Sequence, residues 1–143
     1  MDFAVDTTPP NITNIHQLPA NDSVYPDDEV KVNATVTDDV SGVKQVTLLY
    51  DVNNSGTWMG VENMIKLEGN VWNATIPPFP YGTNVTYAIS AEDNVGNNIT
   101  TEDMGYEIQY QAIPEFSPLI IPPLFTIATL IAAVAHKRRK ITE

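Results

Sequence analysis

The sequence predicts an all-β protein, an antiparallel sandwich of about seven strands, followed by one C-terminal transmembrane helix. Three observations predict it. Apolar and polar residues alternate with a period of two along most of the first 111 residues, the pattern of antiparallel strands with one face in water. Clusters of turn formers (NDSVYPDD, DDVSG, DVNNSG, LEGN, PPFPYG, EDNVGN) punctuate those stretches. Finally, the 20 residues from Phe116 to Ala135 carry no charge, and a helix of that length rises about 30 Å, the depth of a bilayer's hydrocarbon core.

Length and charge set the frame. A chain of 143 residues suits one domain of about 100 residues and a short appendage. The net charge is −11, and it is unevenly spread. Residues 1–115 hold 17 acids against Lys31, Lys44 and Lys66, whereas residues 116–143 hold four bases against Glu143 alone. An acidic body of this kind argues against nucleic acid as a partner, because phosphate backbones need a basic surface. With no cysteine, disulfide scaffolds, thiolate catalysis and Cys-built metal sites are excluded.

Residues 1–8 read as a linker. MDFAVDTTPP has neither the basic nor the apolar region of an export signal, so the sequence reads as the C-terminal part of a longer exported protein. Residues 9–111 read as the sandwich. In EVKVNATVT, Val30, Val32, Ala34 and Val36 alternate with Lys31, Asn33, Thr35 and Thr37. In NVTYAISAE, Val85, Tyr87, Ile89 and Ala91 alternate with Asn84, Thr86, Ala88 and Ser90. Shorter inward sets are Val46, Leu48 and Tyr50, then Trp72, Ala74 and Ile76, then Tyr106, Ile108 and Tyr110. Seven or so short strands in about 100 residues is the signature of an immunoglobulin-like sandwich. Without a disulfide, closure of the core falls to aliphatics, Tyr50, Tyr87 and one or both of Trp58 and Trp72. The opening Asp6-Thr7-Thr8-Pro9-Pro10, the run Asp38-Asp39-Val40-Ser41-Gly42-Val43, and Tyr87–Asp93 leading to Gly96-Asn97 resemble the Ig-like or fibronectin type III-like modules that stand in tandem on prokaryotic surface proteins. That resemblance implies a binding or spacer module, with neighbouring modules or surface glycans as partners, and it brings no catalytic residue.

Residues 112–118 read as a second linker, 119–135 as a membrane-spanning segment, and 136–143 as a basic tail held inside by Lys137, Arg138, Arg139 and Lys140. Pro118, Pro122 and Pro123 interrupt the start of the apolar stretch, where each removes an amide donor. Pro114-Glu115-Phe116, an apolar stretch and a terminal basic cluster together resemble the PEF-CTERM archaeal protein-sorting signal. The resemblance implies recognition by an archaeosortase, a membrane-embedded transpeptidase, with Pro114, Glu115 and Phe116 as the processing determinant of a substrate. The other reading of the same residues is an unprocessed single-span anchor.

Three further sets of residues have two readings each. Asn-x-Ser/Thr occurs at Asn11, Asn21, Asn33, Asn53, Asn73, Asn84 and Asn98, where chance placement gives about two; these are N-glycosylation candidates or simply a polar β surface. Asp6, Asp38, Asp39, Asp93 and Asn94 fall in segments that a sandwich of this order gathers at one end. They read as oxygen ligands for calcium, or as residues capping their own turns. Trp58, Trp72 and Tyr81 read as a sugar-stacking platform or as packing, and the inward register of Trp72 favours packing. His16 and His136 are the only histidines, and no phosphate loop, nucleophile elbow or two-His metal motif accompanies them, so no enzyme is expected. The expected role is a membrane-anchored surface module for display or spacing, the alternative being adhesion or carbohydrate binding.

Overall fold

The structure, a computed structural model, describes residues 5–114. Nine strands make two antiparallel sheets: β1 (Asn11–Leu18), β2 (Val30–Thr37), β3 (Val43–Val52), β4 (Gly60–Asn63), β5 (Ile65–Lys66), β6 (Val71–Ile76), β7 (Asn84–Asp93), β8 (Asn98–Thr100) and β9 (Ile108–Gln111). The first sheet runs β1-β2-β6-β5; the second runs β4-β3-β7-β8, with β9 also paired to β7. Among the described residues no helix is long and apolar enough to cross a membrane. The segment read as membrane-spanning, 119–135, lies outside the described residues, as do Glu115, Phe116 and the basic cluster Lys137–Lys140.

Nine strands follow seven paths, because two paths are interrupted. β4 pairs with β3 in one sheet, and β5 pairs with β6 in the other. The chain changes sheets at Met64, which is buried and donates its N–H to the Val46 carbonyl at 2.9 Å. Likewise β8 pairs with the second half of β7 and β9 with its first half, so together they form one broken edge. The break is organised by Thr101, which is fully buried. Its hydroxyl accepts the Ile89 N–H at 3.1 Å and its own N–H donates to the Ile89 carbonyl at 2.9 Å. The side chain thus supplies the acceptor that the ladder loses where the chain loops out, as buried amides require.

The two sheets close on a single core. Val30, Val32, Ala34 and Val36 of β2 with Trp72, Ala74 and Ile76 of β6 share one buried cluster with Val46, Leu48 and Tyr50 of β3 and Val85, Tyr87, Ile89 and Ala91 of β7. The alternation read from the sequence is therefore the inward face of four central strands. Each aliphatic chain so buried contributes on the order of 1.5–3 kcal/mol. Tyr87 bridges the layers, its buried hydroxyl donating to Gln17 Oε1 on β1 at 3.0 Å, and burial raises its pKa. Tyr50 stands edge-on to Phe79, with ring centroids 6.0 Å apart. Its cross-strand partner is Gly60, where a Cβ would overlap the Tyr50 ring.

Two positions depart from the simple alternation. Tyr106, assigned inward with Ile108 and Tyr110, is 56% exposed because the strand is broken there and β9 starts only at Ile108. Ala88, assigned outward, is fully buried. It lies on β7, opposite Leu49 of β3 and between that strand and the broken β8–β9 edge.

The two ends of the described chain leave from opposite poles. Asn97, in the turn after β7, donates its side-chain amide to the Asp6 carbonyl at 3.1 Å, which fixes the N-terminal segment beside the end of β7. On the other side Ala112 donates its N–H to the Thr83 carbonyl at 3.0 Å, beside the start of β7. The ten residues of β7 hold the poles about 33 Å apart.

Candidate functional site

The N-terminal pole carries the one acidic constellation found among the described residues: Asp6, Asp38 and Asp93 each place a carboxylate oxygen within 4.8 Å of the others. Three separate segments deliver them. Asp6 precedes β1, Asp38 follows β2, and Asp93 ends β7, so the cluster joins both sheets and the incoming chain.

Each carboxylate also shapes the backbone around it. Asp38 Oδ1 accepts N–H groups from Val40, Ser41 and Gly42 at 3.2, 2.8 and 2.8 Å, closing the β2–β3 turn. Gly42 completes that turn at φ 83°, a conformation that favours glycine. Asp93 Oδ1 accepts the Val95 and Asn97 N–H groups, each at 2.9 Å, and its Oδ2 accepts the Asn97 side-chain amide at 2.7 Å. Asp93 is fully buried. Burial alone would raise its pKa, but the Asn97 side chain and the N–H groups of Asn97, Val95 and Gly96 outweigh that and hold it below the usual range. Asp6 Oδ1 accepts the Thr8 N–H at 3.0 Å and the Thr8 hydroxyl at 2.7 Å. The Thr8 N–H foremost, then the Ser41 and Thr8 hydroxyls, lower its pKa to about 2.

One buried oxygen of the cluster has no partner among the described residues. Asp6 is only 9% exposed, and its Oδ2 is buried without any hydrogen bond. Nor does a basic side chain compensate the cluster: among the described residues the one ion pair is Lys44–Glu92, 2.8 Å long, on the surface. Three carboxylates thus meet at a pole where none of them has a cationic partner among the described residues.

Of the five residues read as oxygen ligands, the structure brings together Asp6, Asp38 and Asp93. Asp39 is exposed and outside the trio. Asn94 donates its side-chain amide to the Ser41 and Gly42 carbonyls at 2.8 and 3.1 Å, pinning the β2–β3 turn to the turn after β7. Asn97 escapes notice in the sequence, although it bonds Asp93, the Asp6 carbonyl and, at 3.4 Å, the Thr8 carbonyl. Inside EDNVGN it looks like any turn asparagine, and partners 89 and 91 residues away leave no local signal.

The remaining candidates are scattered. Asn11, Asn21, Asn53, Asn84 and Asn98 are exposed, whereas Asn33 and Asn73 are half-buried. The last two face each other across β2 and β6, and Asn73 donates its amide to Asn33 Oδ1 at 2.6 Å. Trp72 is buried with its Nε1 unpartnered, under the Lys66 ammonium at 5.9 Å. Trp58 is 37% exposed and walls an open depression of about 290 Å³ with Asp51, Thr86, Glu102 and Glu107. Tyr81 is exposed and does not line that depression. Pro114 is half-buried at the edge of the described residues, and His16 is exposed on β1.

Fold and site together define an all-β two-sheet module with a carboxylate cluster at the pole where the chain enters. A family model described as "Domain of unknown function (DUF7743)" matches residues 4–123, and the chain belongs to that family. The match takes in the whole two-sheet unit and runs on into the apolar stretch. Among curated proteins nothing matches.

Proposed function

We propose that this chain is a cell-surface, membrane-anchored display and spacer module of immunoglobulin-like topology, whose C-terminus is a sorting signal recognised by an archaeosortase. The observation that carries the spacer reading is the separation of the chain's ends. The segment before Asp6 leaves at one pole and the segment after Ala112 at the other, the full length of β7 away. A module wired in this way extends a tether, whereas one with adjacent ends would hang from it as a side branch.

The strand order supports the immunoglobulin-like assignment. With the broken paths joined, one sheet runs first-second-fifth-fourth strand and the other third-sixth-seventh, the arrangement of the ABED and CFG sheets. The fourth path contributes to both sheets through β4 and β5. Support for anchoring is the uncharged stretch from Phe116 to Ala135 and the four bases after it. The acidic, sequon-rich body suits an exposed, soluble position.

The test is made on intact cells and then on the extracted protein. A membrane-impermeant amine reagent is expected to label the exposed Lys31, Lys44 and Lys66 before lysis; labelling only after lysis overturns the surface assignment. The intact mass from native membranes is expected to end near Phe116 with a lipid-sized addition. A chain complete to Glu143 would leave a plain single-span anchor instead.

Trp58 favours a second reading, carbohydrate binding, since an aromatic face beside Asp51, Glu102 and Glu107 is a combination that sugars recognise by stacking and hydrogen bonds. Loss of glycan-array signal on Trp58→Ala supports it, and an array without signal for the unaltered protein removes it.

A further inference from the structure

We propose that Asp6, Asp38 and Asp93 form a binding site for a hard divalent cation of calcium's class, and that the cation fastens the incoming chain to both sheets. The site lies wholly within the two-sheet unit, so it stands whether or not the chain is anchored in a membrane.

Acidic residues at turns usually serve their own backbone, and Asp38 and Asp93 do so through Oδ1. Turn capping does not account for Asp6. Its carboxylate is nine-tenths buried, turned into a cluster of like charge, and keeps Oδ2 without a donor. A buried carboxylate oxygen left bare is costly, and bringing two further carboxylates within 4.8 Å of it adds repulsion. An arrangement of this sort is stable when a positive charge sits among the oxygens. No Lys, Arg or His pairs with any of the three among the described residues.

The donor chemistry selects the class of ion. All the groups are hard oxygens, with no nitrogen or sulfur, which favours calcium or magnesium over transition metals. Calcium binds oxygen at about 2.3–2.6 Å, so two ligands on opposite sides of one ion lie about 5 Å apart. The three oxygens lie within 4.8 Å of one another, close enough to share one such ion, and magnesium, which demands a near-ideal octahedron and keeps several waters, is less often held by a set of protein carboxylates. Thr8 and Asn97 act as positioning residues: Thr8 turns Asp6 Oδ1 away, and Asn97 holds both the Asp6 carbonyl and Asp93 Oδ2.

The test uses the full chain in detergent micelles, with CaCl2 as the probe. Thermal unfolding is compared in about 5 mM CaCl2, about 5 mM MgCl2 and EDTA at matched ionic strength, alongside calorimetric titration with CaCl2. Affinity in the range of about 10⁻⁴–10⁻³ M is expected, as in extracellular calcium modules, with a rise in Tm of about 5 °C over EDTA and a smaller rise in magnesium. Asp6→Asn, which keeps the Thr8 acceptor and removes the charge, is expected to abolish the calcium shift while its Tm in EDTA stays level or rises, because a repelling charge is gone. Asp39→Asn is the control and keeps the shift. Equal Tm in calcium and EDTA without saturable heat overturns the proposal. So does a shift that magnesium or sodium chloride reproduces in full, or one that survives in Asp6→Asn. If Asp6→Asn does not fold, Asp38→Asn is read in its place by the same criteria.

Discussion

At the pole where the chain enters β1, side chains do the holding: Asp6 binds Thr8, Asn97 reaches across to Asp6 and Asp93, and Asn94 ties two turns together. At the opposite pole the backbone and apolar contacts do it. Gly82 donates to the Ala112 carbonyl at 2.9 Å and Ile113 to the Val24 carbonyl at 2.8 Å, while Val24 and Ala112 are buried. Each pole has carboxylate-held turns, and there the contrast is sharpest. Asp51, which holds the β3–β4 turn, has both oxygens occupied: Ser55 donates to Oδ1 through its N–H and hydroxyl, and Gly56 N–H donates to Oδ2 at 3.0 Å. Asp6 has one oxygen occupied and one bare. A turn carboxylate with matched donors is self-sufficient. Asp6, with a surplus acceptor buried beside two further carboxylates, is not.

The largest effect should come from breaking the apolar side of this contrast. Gly60→Ala would drive a methyl group into the Tyr50 ring and displace its contact with Phe79. Overpacking of this sort costs about 1–3 kcal/mol or more, and the loss, read by chemical denaturation, is expected to be the same in calcium and in EDTA. A smaller effect is expected at the polar pole. Asn97→Ala removes the bonds to Asp93, Asp6 and Thr8 and should cost about 1–2 kcal/mol. Its diagnostic is local: limited proteolysis should cut within residues 5–10 well before global unfolding, which the Gly60 variant should not show. The smallest effect belongs to Asp51→Asn, which sharpens the comparison through pH. The Ser55 hydroxyl, foremost among its partners, lowers the Asp51 pKa. Its contribution is therefore present above the unfolded value of about 4 and is lost as pH falls through the lower folded value. A Tm deficit of a degree or so near neutrality should shrink to nothing in strong acid.

Much of the fold was legible because the central strands are half-wet and alternate cleanly, as in β2 and β6, where every residue read as inward is buried. The path that changes sheets was not. In GVENMIKL the residues that turn inward are Gly60 and Met64, whereas Val61, Ile65 and Leu67 are exposed, so hydropathy points to the wrong face. Its edge position leaves the outward apolar side chains uncovered, and no periodicity reveals that. The acidic end was legible as a gathering of segments, since the order of strands in a sandwich fixes which turns share a pole. What sequence could not supply was the distinction between Asp38 or Asp93 and Asp6. Turn capping is local and has a sequence signature. The backbone of Asp6 is held by Asn97, 91 positions away.

The placement of the two ends has a mechanical consequence. Tension applied between the residues before β1 and those after β9 pulls each terminal strand along its own axis. β1 is drawn past β2, and β9 past β7. Antiparallel ladder bonds lie across the strands, so such a load falls on each row of bonds at once, in shear, and does not peel them apart one by one. A load along the line joining the two ends would meet the fold's stiffest resistance in that direction. The same two strands, pulled sideways from one end, would unzip with far less force.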